Sequence, residues 1–282
     1  MDVRVLDHQQ VLSILPDRKP DSHKGDYGKI LLLCGSRGYT GAAALATMGA
    51  LRCGAGLVYL GVPECIYAIE AVKVTEPVLI PLPDYNGCLD SASVDLVLNR
   101  LPDMDAVLIG PGLGQTEGTA DVVRAVAQNY RGPLVLDADG INVISQHMDV
   151  IRDRTSPTIL TPHPGEFRRL GGNIEEDRIL AAKAMARQLR SIVVLKGNKT
   201  VITDGIVCYR NLTGNPGMAV GGSGDVLAGM ITALLGQGIQ PMDAAACAAW
   251  LHGAAGDLCA AELGQYPMLP TDMLNALPRL LK

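Results

Sequence analysis

Aromatic residues are scarce in this chain: one Phe, one Trp and eight Tyr among 282 residues. A core must therefore be filled by Leu, Ile, Val and Ala. Basic runs are missing, and the net charge is −5, so a nucleic-acid surface is not expected. No apolar stretch reaches membrane-spanning length without polar interruption. Met1 to His8 has no apolar segment of the signal-peptide kind. The seven cysteines (Cys34, Cys53, Cys65, Cys88, Cys208, Cys247, Cys259) are dispersed, with no C-x-x-C. An odd, scattered set suits reduced thiols in a cytoplasmic protein, serving as buried small hydrophobes. On that reading the triplets Asn198-Lys199-Thr200 and Asn211-Leu212-Thr213 are chance matches to a glycosylation site. Several catalytic signatures are absent too. There is no G-x-x-x-x-G-K-[ST] and no zinc spacing. Gly110-Pro111-Gly112 runs on to Gln115 and so misses the dinucleotide fingerprint. Gly221-Gly222-Ser223-Gly224-Asp225 lacks the second glycine of a nucleophile elbow.

What is present is apolar residue at 48% and 32 glycines, many of them clustered. A short helix and a surface arm are expected over residues 1–25. Strands are expected at Lys29–Cys34, Leu57–Val62, Ala106–Ile109, Pro133–Leu136, Thr158–Leu160 and Ile192–Leu195, as continuous apolar runs buried on both faces. Helices are expected at Ala42–Cys53, Thr119–Asn129, Asp177–Leu189 (with Asp177 as its cap) and Met242–Leu263. Two shorter strands near 201–203 and 206–208 read as a hairpin through Asp204-Gly205. Alternating strands and helices imply one domain with a central, mainly parallel sheet sandwiched by helices. Such sheets bind ligands beyond the carboxyl ends of their strands. Here those ends carry Gly35-Ser36, Gly110 to Gly114, Asp137 to Gly140, Thr161-Pro162-His163 and Lys196-Gly197.

The most informative run is Gly217-Met218-Ala219-Val220-Gly221-Gly222-Ser223-Gly224-Asp225, just before the apolar stretch Val226 to Ile231. Small residues opening a helix leave free N–H groups, and the helix dipole adds partial positive charge, which suits a bound anion. Asp225 falls in the first turn, beside that anion. A carboxylate there is unfavourable unless it takes a proton or holds a metal, so a chemical role fits better than simple dipole compensation. Asp137 and Asp139 fit either turn formation or a site role. Trp250 and His252 read as packing residues, and Glu166 as a local cap or pair.

A G-x-G-D loop opening a late helix in an α/β chain resembles the ribokinase-like superfamily. Asn215 to Ala219 followed by Gly221 to Gly229 narrows this to the NAD(P)H-hydrate dehydratase family. Five further segments agree: Gly28 to Ala42, Gly110 to Gly114, Asp137 to Asn142, Thr161 to Glu166 and Lys196 to Thr200. The resemblance spans roughly residues 20–280 and leaves out the epimerase domain fused in some members. It implies a single-domain enzyme that uses ADP or ATP, with Mg²⁺, to restore NADH or NADPH from their hydrated forms. It implies that Asp225 is the catalytic base and that Lys196, Gly197, Asn198, Lys199, Thr200 and Gly224 contact the nucleotide. Gly222 and Ser223 join that group as amide donors. Ala42, Gly112, His163 and Asp225 would contact the hydrated cofactor, with Asn142 as a further contact at a strand end. No protein metal ligand is expected, because the nucleotide would carry the ion. A homo-oligomer, specifically a tetramer, is the family expectation. Two other readings stand beside this one: a small-molecule hydroxyl kinase of the same superfamily, and a nucleotide-binding module without catalysis.

Overall fold

The computed structural model describes residues 3–174 and 177–281. In chain order, α1 (His8–Ile14) precedes β1 (Lys29–Leu33), α2 (Thr40–Arg52) and β2 (Leu57–Pro63). Next come α3 (Glu64–Lys73), β3 (Val78–Leu82), a small hairpin of β4 (Asp84–Tyr85) and β5 (Cys88–Leu89), and α4 (Ser93–Leu98). β6 (Ala106–Ile109), α5 (Glu117–Asn129), β7 (Leu134–Leu136), α6 (Asp139–Ile144), α7 (Met148–Arg152), β8 (Thr158–Leu160) and α8 (Pro164–Arg169) follow. The rest comprises α9 (Arg178–Leu189), β9 (Ile192–Leu195), β10 (Val201–Thr203), β11 (Cys208–Arg210), α10 (Ser223–Gly236), α11 (Pro241–Leu263) and α12 (Pro270–Leu280).

Among the described residues, nine strands form one sheet in the order β11-β10-β9-β8-β7-β6-β1-β2-β3. All neighbours are parallel except β10, which runs antiparallel to both β9 and β11. The apolar run of β1 is explained by its central place: Ile30 and Leu32 pack into one core, Leu31 and Leu33 into the other. The first core lies under α2, α10 and α11, the second under α5, α6 and α9. Leu, Ile, Val and Ala do fill both, and the single Phe, Phe167, is fully buried in the second. Trp250 stacks on His8 with ring centroids 5.3 Å apart, which bears out its packing role. Among the described residues, no helix is long and apolar enough to cross a membrane.

Three expectations need correction. The hairpin after β9 is offset: Val201 pairs with Arg210 and Thr203 with Cys208, so its loop is Asp204 to Val207. Asp204 Oδ1 accepts the N–H groups of both Ile206 and Val207, which makes a longer turn than Asp204-Gly205 alone. Residues 63–105, assigned no element above, hold α3, β3, β4, β5 and α4. Pro77, Pro81 and Pro83 interrupt the pattern there, and Pro81 is tolerated because β3 is an edge strand. The cysteines are not uniformly buried: Cys65 is exposed and Cys88 half-buried.

Glu70 on α3 is fully buried, and neither carboxylate oxygen has a hydrogen-bond partner among the described residues. Burial pushes its carboxyl up to about 7, against a smaller opposing pull from Lys73. The folded protein thus holds this proton more tightly than the unfolded chain, whose ordinary value is 4.5. Stability from this group is full below that value and is lost as pH rises to about 7. Glu70→Gln is therefore expected to melt above the parent protein at pH ~8, with the gap shrinking toward pH ~5 in thermal unfolding scans.

Candidate active site

The sheet order places a topological switch between β1 and β6, because the chain leaves β1 toward β2 and later returns on its other side. The loops that follow these two strands are tied together. Gly35 N–H donates to the Pro111 carbonyl (2.8 Å) and Ser36 Oγ to the Gly112 carbonyl (2.7 Å). Gly112 has φ +65°, and a Cβ there would lie 2.8 Å from that of Ala42, in the first turn of α2. The two expected cofactor contacts are therefore neighbours. Tyr39, 63% exposed, adjoins both, and sequence reasoning missed it because an isolated loop tyrosine carries no pattern.

Ser223, Gly224 and Asp225 open α10, as expected. Gly222 precedes them in the left-handed region (φ +97°), where glycine is favoured, and no side chain caps the helix. The Ser223 N–H makes only a long bond to the Val220 carbonyl (3.4 Å), and the Gly224 and Asp225 amides have no acceptor among the described residues. Asp225 has its carboxyl pushed up to about 7, first by burial and then by Asp137, with Lys196 pulling the other way. A carboxyl poised near neutrality beside a helix N-terminus can exchange a proton at physiological pH.

Lys196 follows β9 directly. Its Nζ donates to Asp137 Oδ1 at 2.7 Å and lies 3.9 Å from Glu166 Oε2. Burial disfavours the ammonium, but Asp137 and Glu166 outweigh it and hold Lys196 above its usual range. The same Nζ would sit 3.1 Å from a Cβ at Gly224, so it reaches the start of α10. Asp137 is 1% exposed and also accepts from Thr161 Oγ1 at 2.6 Å. Between the two acids Ala138 adopts φ +49°, a strained conformation of the kind that gathers at functional sites. Asp137 bonds inward to Lys196, whereas Asp139 accepts from the Gly114 N–H (2.8 Å) and Gln115 Nε2 (3.0 Å). Both acids therefore do more than form the turn.

His163 caps α8. Its Nδ1 accepts the Gly165 N–H at 2.9 Å, so in the neutral ring Nε2 carries the hydrogen, and it lies 3.2 Å from Glu166 Oε1. Burial, Lys196 and Arg169 hold the ring below its usual pKa. Glu166 is a cap, as expected, accepting the His163 N–H at 2.8 Å, but it also joins the Lys196 cluster. Its own carboxyl is raised, mainly by burial. Asn142 is not at a strand end: it lies inside α6, where it bonds Asp139 and Arg169.

The expected nucleotide residues line one cavity of about 560 Å³. Lys196, Gly197, Asn198, Lys199 and Thr200 form one wall, Asn211 to Pro216 another, and Ser223 and Gly224 close one end. Gly197 (φ +141°) and Lys199 (φ +56°) both take the left-handed side, which shapes this loop. Gly222 is outside the lining; its part is conformational. The two glycosylation-like triplets both border this cavity. His252 lines it as well, buried and held down to about 4 by that burial. Its place on an alanine-rich helix gave no sign of this. Among the described residues, no three His, Cys, Asp or Glu side chains converge as a metal cage. The side chains present do not by themselves fit a resident Mg²⁺.

Comparison with known proteins decides the family. The NAD(P)H-hydrate dehydratase profile matches residues 30–279, nearly the whole chain. The chain belongs to the NAD(P)H-hydrate dehydratase family. It is 37% identical to the ADP-dependent (S)-NAD(P)H-hydrate dehydratase of Bacillus subtilis, over all of this chain and 99% of that protein. A crystal structure of the ADP/ATP-dependent NAD(P)H-hydrate dehydratase from Bacillus subtilis, co-crystallized with ATP/Mg²⁺, superposes with a TM-score of 0.84. It shares 34% identity over 99% of this chain and 98% of that one. The bifunctional NAD(P)H-hydrate repair enzyme Nnr of Moorella thermoacetica is 44% identical over 99% of this chain but 54% of its own length. The chain thus spans about half the length of the bifunctional relatives it matches. The dehydratase fold is the ribokinase-like one expected from the loop at 217–225.

Proposed function

We propose that this family member is a nucleotide-dependent hydro-lyase that restores NADH or NADPH from their hydrated forms. The observation that carries the reading is Asp225, a carboxyl raised to about 7 at the uncapped start of α10, beside Lys196 and the nucleotide-sized cavity. The chemistry is a phosphoryl transfer followed by an elimination. Asp225 takes the proton of the ring hydroxyl as that oxygen bonds the terminal phosphorus of ADP or ATP. The bond to the departing nucleotide breaks, releasing AMP or ADP. The amides of Gly222, Ser223 and Gly224 hold the migrating phosphoryl group, which needs positioning and charge neutralisation more than covalent help. Phosphate is a far better leaving group than hydroxide. The ring nitrogen lone pair expels it, and water takes the neighbouring carbon-bound proton as the double bond re-forms. Any Mg²⁺ would arrive on the nucleotide phosphates, and no step is assigned to it.

Lys196 to Thr200 and Gly224 bind the nucleotide in this reading, and Ala42, Gly112, His163 and Asp225 bind the hydrated cofactor. What supports the division is that the first set lines one cavity with Ser223, while Ala42 and Gly112 meet at the sheet's switch point. We read the protein as a cytoplasmic homo-oligomer, a tetramer by family resemblance; the free thiols fit a reducing compartment. The test is an absorbance assay at about 340 nm, following hydrated NADH or NADPH with ADP or ATP and Mg²⁺. Absorbance is expected to return with a nucleotide and not without one. A stable phosphorylated product with no return of absorbance would instead favour the hydroxyl kinase.

A further inference from the structure

The phosphoryl chemistry occupies the start of α10 and Lys196, yet a dinucleotide must also be held beyond its reacting ring. Four carboxylates, those of Asp137, Asp139, Glu166 and Asp225, act on the site together. Lys196 is already engaged by Asp137 and Glu166. A hydrated reduced dinucleotide brings a pyrophosphate with two further negative charges. Its approach calls for a cation that is not already neutralised.

Arg169 meets that requirement. It ends α8, is exposed, and makes no ion pair with a carboxylate among the described residues. Its Nη1 donates to Asn142 Oδ1 at 2.9 Å. Asn142 Nδ2 in turn donates to Asp139 Oδ1 at 3.2 Å, and Asp139 Oδ2 accepts the Gly114 N–H at 2.8 Å. This chain of bonds links the guanidinium through Asn142 and Asp139 to Gly114, in the glycine loop that holds Gly112, and Arg169 is near enough to His163 to disfavour its protonation. One N–H is used on a neutral amide, which leaves the remainder of the fork for a ligand. Guanidinium forks match phosphate oxygens in geometry as well as charge. Resting on the function proposed above, we propose that Arg169 binds the pyrophosphate of the hydrated dinucleotide, held in place by Asn142 and Asp139. Asn142 then contributes as a positioning residue.

The experiment compares the parent protein with Arg169→Ala, Arg169→Lys and Asn142→Ala. Its two readouts are the KM for hydrated NADH and, independent of turnover, binding of the product NADPH followed by its fluorescence. Losing a charge-assisted bidentate contact is expected to raise both the KM and the NADPH Kd about tenfold or more, with the KM for ADP within about twofold. Arg169→Lys should recover part of the loss, since it restores charge but not the fork. Asn142→Ala should fall between the parent and Arg169→Ala. An unchanged NADPH Kd in Arg169→Ala, or an equal loss of ADP binding, overturns the proposal. A parent protein that binds NADPH in an Arg169-dependent way but never regenerates absorbance would remove the dehydratase function and leave the Arg169 site standing. A parent that regenerates absorbance with no dependence on Arg169 would do the reverse.

Discussion

Asp225→Asn is expected to lower turnover of hydrated NADH by roughly 10²-fold or more while leaving the Kd for ADP within about threefold. Asn has the same shape and keeps a side-chain oxygen near the start of α10, so the cavity walls and the amides of Gly222 to Gly224 are undisturbed. What disappears is the ability to take a proton. The pH dependence separates this from a packing defect. The parent protein should gain activity as pH rises through about 7, where burial and Asp137 place the ionisation of Asp225. The variant's residual rate should not follow that curve. Stability should move the other way. The folded state holds the Asp225 proton more tightly than the unfolded chain, whose ordinary value is 3.8, so stability is lost as pH rises from there to about 7. The variant escapes this loss. It should melt above the parent at pH ~8, with a smaller gap at pH ~5. Lower activity with higher stability is the pattern of a functional group kept at an energetic cost. Equal turnover in the two proteins would instead assign the base elsewhere or leave only a nucleotide-binding module.

The parts of this architecture that show in the sequence are those written in consecutive residues. β1, β6 and β9 are continuous apolar runs because both faces of the sheet are covered, and the core assignments of Ile30, Leu31, Leu32 and Leu33 follow from their alternation. The start of α10 is legible because a helix N-terminus built for an anion needs small residues in a row. Long-range pairings leave no such trace. Lys196 and Asp137 stand 59 residues apart, and nothing local to either shows that they share a bond. Asn142 follows a strand after five residues and so looks like a strand-end group; only the abrupt turn at Ala138 shows that the chain is already helical there. Edge elements such as β3 are obscured for a different reason. With one side unpaired they accept proline, and the alternation that marks a strand is lost.

The placement of Asp225 depends on a glycine one turn further along its helix, and Gly229→Ala is expected to damage the fold far more than its size suggests. α10 lies against α2 with almost no side chain between them. A Cβ at Gly229 would sit 1.9 Å from the Ala46 carbonyl oxygen, and one at Gly49 would sit 2.5 Å from that of Val226. Each glycine thus faces the other helix's backbone. The clashing atoms cannot rotate away as a side chain would, so the helices must separate by an ångström or more. Alanine is favoured over glycine within a helix by about 1 kcal/mol, which on its own would stabilise the variant. Overpacking against a fixed backbone typically costs 1–3 kcal/mol, occasionally more, and here it meets a helix buried along almost its whole length. The steric term should win, lowering the melting temperature by several degrees. Because α2 also carries Ala42 and α10 carries Ser223 to Asp225, the same displacement pulls the two halves of the site apart. Nucleotide affinity should therefore fall along with stability, in contrast to Asp225→Asn. Melting at or above the parent temperature would show that the spacing of these helices is not set by glycine.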